Sequence, residues 1–381
     1  MTGGSSAMAQ GTYLDAHASP VQPTMLARGD AGVARPDLHI ASLVNPAHLG
    51  KDWGGGVRVT ILGLGVSGRP NRVSDAITFF EDNLEDIDEL PDEEVDRIEE
   101  EALVLFDRPI TLRSAALLPS VTFRAGTVGI SAGAYISQTA RGQATPDLIA
   151  PSFAMFGQID GVFAIGAGVP LGDSGVRVGL TGRYVERYVS TYMQTFDDFD
   201  VPPILYGSTV ALDLGAQYDL PGVEGLTTAF AVYDLLGGNM TYEEDDVFDL
   251  LDGETPEPGS ADRARALLDE FDGPSMRLGV AYEIPRRYLP SMGASTVLVD
   301  WVSGSSTSES QSFFRKLRIG AETNAGRLQV RAGLSQGLPA GGIGLNVWVA
   351  HLDYAIYGRQ EGLAPSDGST YAHTVQLRFG W

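Results

Sequence analysis

The chain has 381 residues, 47 of them glycine and none cysteine, and a formal net charge of -23 at pH 7. The missing cysteine excludes disulfide staples, thiolate metal sites and a cysteine nucleophile, and the acidic balance gives no support to a basic nucleic-acid-binding surface. No apolar run comes near the roughly 20 residues that a membrane-spanning helix needs, so a membrane crossing would have to be made by strands.

Residues 1–23 read as an unstructured leader or the remnant of a signal peptide. Ala7-Met8-Ala9 has the small-x-small form of a signal-peptidase site, but the charged and apolar regions that precede such a site are missing. Residues 24–53 differ in character: Met25–Ala34 is rich in small residues, and Ala41–Leu49 contains Asn45-Pro46-Ala47. Proline restricts the residue before it and asparagine bonds its own backbone, so this triplet predicts a compact turn.

From residue 54 onward, segments of period two recur, apolar on one face and polar or small on the other. They fall near 56–67, 113–124, 126–138, 155–169, 176–188, 206–219, 226–236, 275–285, 293–303, 313–323 and 327–335. Gly63-Leu64-Gly65-Val66-Ser67-Gly68 lies inside the first of them, with no lysine or helix start behind it, and reads as strand glycine rather than a phosphate loop. Connectors alternate between short turns and long loops, as in an outer-membrane barrel. Taken as one strand, residues 343–358 would make the total odd, whereas single-chain bacterial barrels normally have even strand numbers. A break is therefore predicted there, with strands over 341–346 and 348–357 and about fourteen strands in all.

The acidity is local. Residues 71–108 hold fifteen acids against three arginines, and residues 240–273 hold twelve against two. Val73, Ile77, Phe80, Leu84, Ile87 and Leu90 recur at helical spacing with Ser74 as a cap, and Pro91 begins a second helix lined by Val95, Ile98, Ala102 and Leu105. Ser260 caps a third, over 259–272. These insertions read either as small helices over a barrel mouth or as solvated loops.

The last strand alternates to its end. Tyr371, His373, Val375, Leu377, Phe379 and Trp381 fall on one face, and Ala372, Thr374, Gln376, Arg378 and Gly380 on the other. A soluble sandwich would turn such apolar faces inward, whereas a membrane barrel turns them to lipid.

The order of short matches carries a resemblance: Met25–Ala34, Asn45-Pro46-Ala47, Leu212–Tyr218, Ala231–Gly237, Arg277–Tyr282, Arg331–Gly333 and Leu352–Ala355. Together they resemble the FadL-like superfamily of outer-membrane barrels, nearest its PorV-type and conjugal-transfer TraF-like branches. His48 stands where a glycine is usual, which points away from the fatty-acid branch. The resemblance implies an all-β, antiparallel up-and-down transmembrane barrel in the bacterial outer membrane, spanning 54–381. It also implies an N-terminal hatch of residues 24–53 inside the lumen, turning at Asn45, Pro46 and Ala47. The terminal strand, through Val375, Leu377, Phe379 and Trp381, resembles the signal read by the barrel-assembly machinery.

Arg183, Asp213, Arg277, Asp300, Arg318, Glu322 and Arg331 fall on the faces that would line the lumen, where opposite charges on neighbouring strands would pair and hold the hatch. The five histidines show no paired ligand spacing, and no nucleophile elbow of Gly-x-Ser-x-Gly type feeds a helix, so neither a metal, a cofactor nor catalysis is expected. Two functions remain: passive transport of small hydrophobic compounds, or a non-transporting scaffold whose acidic insertions dock a secretion or conjugation partner. In both, the surrounding partner is outer-membrane lipid.

Overall fold

The computed structural model describes residues 22–381 apart from 55, 84–90, 107–109, 146–151, 196–203, 237–239, 245–273, 286, 289–292, 305–312 and 361–368. Among the described residues, one antiparallel sheet runs through β1 (Val57–Gly68), β2 (Ile110–Ala125), β3 (Val128–Thr145), β4 (Ser152–Pro170), β5 (Val176–Thr195), β6 (Ile204–Asp219), β7 (Leu226–Tyr233) and β8 (Thr241–Glu244). It continues through β9 (Ser275–Ile284), β10 (Ser295–Gly304), β11 (Leu317–Ala325), β12 (Leu328–Ser335), β13 (Leu338–Val347), β14 (Ala350–Gln360) and β15 (Ser369–Gly380). β15 closes on β1 and β5 on β6. Because β7 and β8 both pair with β6, they are two pieces of one interrupted strand, and the cylinder has fourteen strand positions. Closure removes the unpaired edges that an open sheet would present to hydrocarbon.

Parity is satisfied where it was expected to be. β13 and β14 meet at Trp348 and Val349, and Trp348 turns the chain with a φ of 56°. Four points differ from the sequence reading. β3, β4 and β5 run 18, 19 and 20 residues, beyond the expected 126–138, 155–169 and 176–188. Residues 313–316 form a helical turn and the strand begins at Leu317, because the adjacent Phe313 and Phe314 break the period of two. Thr241–Glu244 is strand rather than acidic insertion, paired to Leu205–Ser208. Ser74 lies within the helix Pro70–Asn83 and does not cap it.

That helix and its neighbour Asp92–Leu105 pack Ala76, Phe79, Ile98, Ala102 and Phe106 against Ile110 of β2, while Ile77 is exposed. The predicted helix over 259–272 lies outside the described residues. No described helix is long and apolar enough to cross a membrane.

The outward face is a continuous apolar band. Leu180 pairs with Leu214, Leu214 with Val232, and Val232 with Met276. Val280 pairs with Val299, Val299 with Ile319, and Ile319 with Leu334. Val330 meets Ile343, Ile343 Tyr354, Tyr354 Val375, and Val375 Val66. Most of these side chains are well exposed, while Arg177, Arg183, Arg187, Asp160, Asp213, Asp300 and Arg331 are buried on the other face. A water-soluble protein inverts this distribution, whereas hydrocarbon requires it.

Candidate functional site

Residues 22–50 lie within the lumen as a chain of short turns: helices Pro23–Ala27 and Ala41–Val44, and 3-10 turns Leu38–Ile40 and Pro46–Gly50. Gln22 and Pro23, assigned from sequence to the leader, are buried with them. Asn45 organises the lower bend. Its extended backbone lets the side-chain oxygen accept from the Ala47 N–H at 3.1 Å, and Pro46 has no N–H to satisfy at the start of the turn. The Asn45 amide donates to the Val33 carbonyl at 3.0 Å and to Ala216 and Phe230 of the wall at 3.4 Å.

Inward glycines let backbone meet backbone. A Cβ at Gly215 would lie 2.1 Å from Asn45 Oδ1, one at Gly179 2.2 Å from the Pro46 carbonyl carbon, and one at Gly168 2.4 Å from the Pro46 oxygen. Across the lumen, a Cβ at Gly320 or Gly333 would strike Arg28 at 2.4 or 2.3 Å.

The inward charges divide into two groups. Asp300 accepts from the N–H groups of Gly32 and Val33 at 2.6 and 2.9 Å. Arg277 donates to Asp30 at 3.1 Å, with Arg318 3.8 Å from the same carboxylate. Glu322 lies 3.6 Å from Arg28 and accepts from Arg331 at 2.7 Å, and Arg331 also donates to Asp353 at 2.8 Å. Arg183 and Asp213 instead pair wall to wall across β5 and β6 at 2.7 and 3.0 Å, and Arg183 also reaches Asp234 at 2.7 Å. The sequence reading passed over Asp353, the Arg187–Asp160 pair at 2.6 Å and the hatch's own Arg28, Asp30 and Asp37. Alternation marked Asp353 and Asp160 as inward, so that signal was present. An Arg183→Leu substitution, by leaving Asp213 and Asp234 buried without their cation, is expected to cost about 3–5 kcal/mol in thermal or denaturant unfolding, much of it recovered when Asp213 is also made Leu. Equal stability of the single variant and wild type would refute the pairing.

Three hatch groups have shifted titration. Burial, with Arg378 nearby, lowers His39 to about 3. Burial and Lys51 lower His48 to about 4, against a bond to Gln217. Burial pushes Asp37 up, but the charges of Arg28, His39 and Arg331 outweigh it and hold the carboxyl below its ordinary value.

One side of the lumen is walled by small residues. β1 turns Thr60, Gly63, Gly65 and Ser67 inward, all small and buried, with Ala115 of β2 beside them. The nearest neighbours of a Cβ at Gly63 or Gly65 belong to Leu117, Val375 and Gln376, not to the hatch. Unfilled space lies at both ends of this track. The lower space, about 20 Å³ and partly open, lies between His39, Ile40, Ser42 and Leu43 of the hatch and Thr60, Leu117, Ser120 and Tyr135 of the wall. Here the wall is irregular, with register shifts between Thr60 and Leu62 on β1 and between Leu117 and Ser120 on β2. The upper space, about 20 Å³, is lined by Ser67, Arg69, Thr111, Arg113, Tyr357 and Thr370 among others.

The wall is interrupted once more, between β7 and β8. Three more residues lie between Val232 and Thr241 than between their β6 partners Leu214 and Ser208. Asp234 takes a φ of 53° there, Leu235 donates its N–H to Leu212, and Leu235 and Leu236 are exposed. Among the described residues, no cluster of three or more His, Asp or Glu is placed to hold a metal ion.

No protein-family model matches the chain, and no curated protein sequence does. Solved structures do. A "TodX deltaS2S3 mutant monoaromatic hydrocarbon channel" aligns with a TM-score of 0.52 at 10% identity, over 95% of this chain and 98% of that one. The Ralstonia pickettii toluene transporter TbuX aligns with a TM-score of 0.50 at 12% identity, covering 95% and 98%. The Pseudomonas putida toluene transporter TodX aligns with a TM-score of 0.50 at 11% identity, covering 95% and 97%. At such identities the likeness is one of fold.

Proposed function

We propose that this protein is an outer-membrane channel through which small hydrophobic compounds pass by diffusion, with residues 24–50 as a hatch held by the lumenal charges. The small-residue track along β1 carries the proposal. It runs between the upper and lower spaces and adds no large side chain of its own, Leu117 and Gln376 being its nearest neighbours, so passage requires the wall to yield there. The fold shared with two toluene transporters supports the same reading. The lower end of the track meets the hatch at His39–Leu43, so onward movement depends on those residues shifting. Outward-facing Val375, Leu377, Phe379 and Trp381 fit recognition by the barrel-assembly machinery and contact with outer-membrane lipid. The scaffold alternative draws on the resemblance to PorV-type and TraF-like proteins and on the acidic insertions, and no feature of the described residues favours it.

Uptake of toluene into cells or liposomes carrying the protein tests the proposal. Deleting residues 24–50 is expected to speed uptake, and Gly65→Leu, which fills the track, to slow it about tenfold, the effect of roughly 1.4 kcal/mol on a barrier. Uptake unchanged by both alterations would defeat the reading.

A further inference from the structure

We propose that Asp300 and Arg318 form an exchange catch: hatch residues 30–33 part them when seated, and the two pair with each other when those residues lift. The proposal rests on movement of the hatch, taken from the channel reading, and adds what the wall does in the displaced state.

The register of the wall carries it. On the inward face Arg187 stands directly opposite Asp160, Arg331 opposite Glu322, and Arg318 opposite Asp300. The first two pairs are closed, at 2.6 and 2.7 Å. The third is not. Asp300, which is fully buried, gives its Oδ2 to the N–H groups of Gly32 and Val33, and its Oδ1 has no hydrogen-bond partner. Arg318 has its Nε 3.8 Å from Asp30 of the hatch and donates through a terminal nitrogen to the carbonyls of Arg315 and Leu317. Arg277, diagonal to Asp300 on β9, is also turned to Asp30, at 3.1 Å. The seated hatch therefore stands between an acid and its opposite cation, offering N–H groups to the one and a carboxylate to the other.

Ala31 and Val33 of the hatch and Ala281 and Leu298 of the wall form a buried apolar cluster beside this point. A buried carboxylate stripped of its donors is strongly unfavourable unless a cation takes their place. Side chains directly opposite on antiparallel strands have Cβ atoms about 5 Å apart, well within the reach of an arginine fork. Lifting residues 30–33 takes the donors from Asp300 and Asp30 from Arg318 in one movement, and side-chain rotation alone then joins acid to cation. β11 already makes such a pair elsewhere, through Glu322 and Arg331. The new pair offsets part of the cost of leaving the seat, and the returning hatch must part it again.

Cleavage within residues 22–50 by a protease of broad specificity, on the purified full-length barrel in detergent at pH 7, reads the displaced population. Asp30→Asn weakens the seat and leaves the wall pair intact, so it is expected to raise cleavage about tenfold. Arg318→Gln removes the wall pair and takes only the 3.8 Å contact from the seat, so it is expected to lower cleavage about threefold. An arginine that merely anchored the hatch would have the opposite sign. Arg318→Lys keeps the charge and is expected to return cleavage toward the wild-type rate. Folding of each variant is checked by heat-modifiable migration, and if R318Q does not fold, Arg318→Met carries the same test. Cleavage in the charge-removing variant equal to wild type, or faster, would overturn the catch and leave hatch movement standing. Resistance of residues 22–50 in every form, D30N included, would overturn it together with the movement that the channel reading requires.

Discussion

Replacing Gly179 by valine (G179V) is expected to evict the hatch while the barrel stays closed. The new Cβ alone would lie 2.2 Å from the Pro46 carbonyl carbon and 2.4 Å from the Ala47 nitrogen. Both are backbone atoms fixed by the Asn45 bend, so no side-chain rotation relieves the clash. Gly215 and Gly168 press on the same turn from neighbouring strands, which removes the room to slide aside. Overpacking of this kind costs about 1–3 kcal/mol or more, enough to raise the population of displaced hatch by about tenfold or beyond. The measurements are single-channel conductance in planar bilayers and protease cleavage within residues 22–50, both expected to rise. Gly182→Val is the control. It lies three residues along the same strand, where a Cβ meets nothing within 4 Å. If G179V and G182V behave alike, the close approach of hatch and wall is wrong.

Acid is the second large effect. His39 and His48 titrate near 3 and 4 in the seated hatch, against about 6.5 for a solvated histidine. Between those values a released hatch binds protons that the seated one refuses, so seating is complete above about pH 6.5 and is lost as pH falls toward 4. Each histidine contributes up to about tenfold per pH unit in that window. Asp37 acts in the same sense lower down. Its carboxyl is held below the ordinary value, so its contribution is present above about pH 4 and fades with further acidification. Protease sensitivity of the hatch, followed from pH 7 to 4, is expected to climb steeply, with a shallower climb in His39→Gln. A flat profile, or a rise on the alkaline side, would contradict the sign.

Sequence made the outer surface legible and the inner one only partly so. Val375, Leu377 and Phe379 alternate with Thr374, Gln376 and Arg378, and the two faces separate in the structure as lipid demands. A break near residue 347 followed from parity alone, and the structure sets the turn at Trp348 and Val349. Glycine was harder: alternation turns Gly179 inward and Gly182 outward, but that the inward one meets the hatch is a contact with Pro46, more than a hundred residues away, which no local pattern carries. The same holds for Asp300, legible as an inward charge but not as the acceptor for two hatch N–H groups. Residues 313–316 were misread for a local reason: Phe313 and Phe314 look like strand residues by composition, but side by side they cannot share one face.

Only residues 51–56 separate the hatch from β1, and β1 is the strand that β15 must find to complete the cylinder. An unfinished sheet has an open flank wide enough to admit residues 22–50. Once the seam is zipped, glycine-tight clearances on the far walls bar late entry. Sealing the wall and housing the plug therefore belong to one event during biogenesis, and a polypeptide that sealed first would be left with its own N-terminus outside.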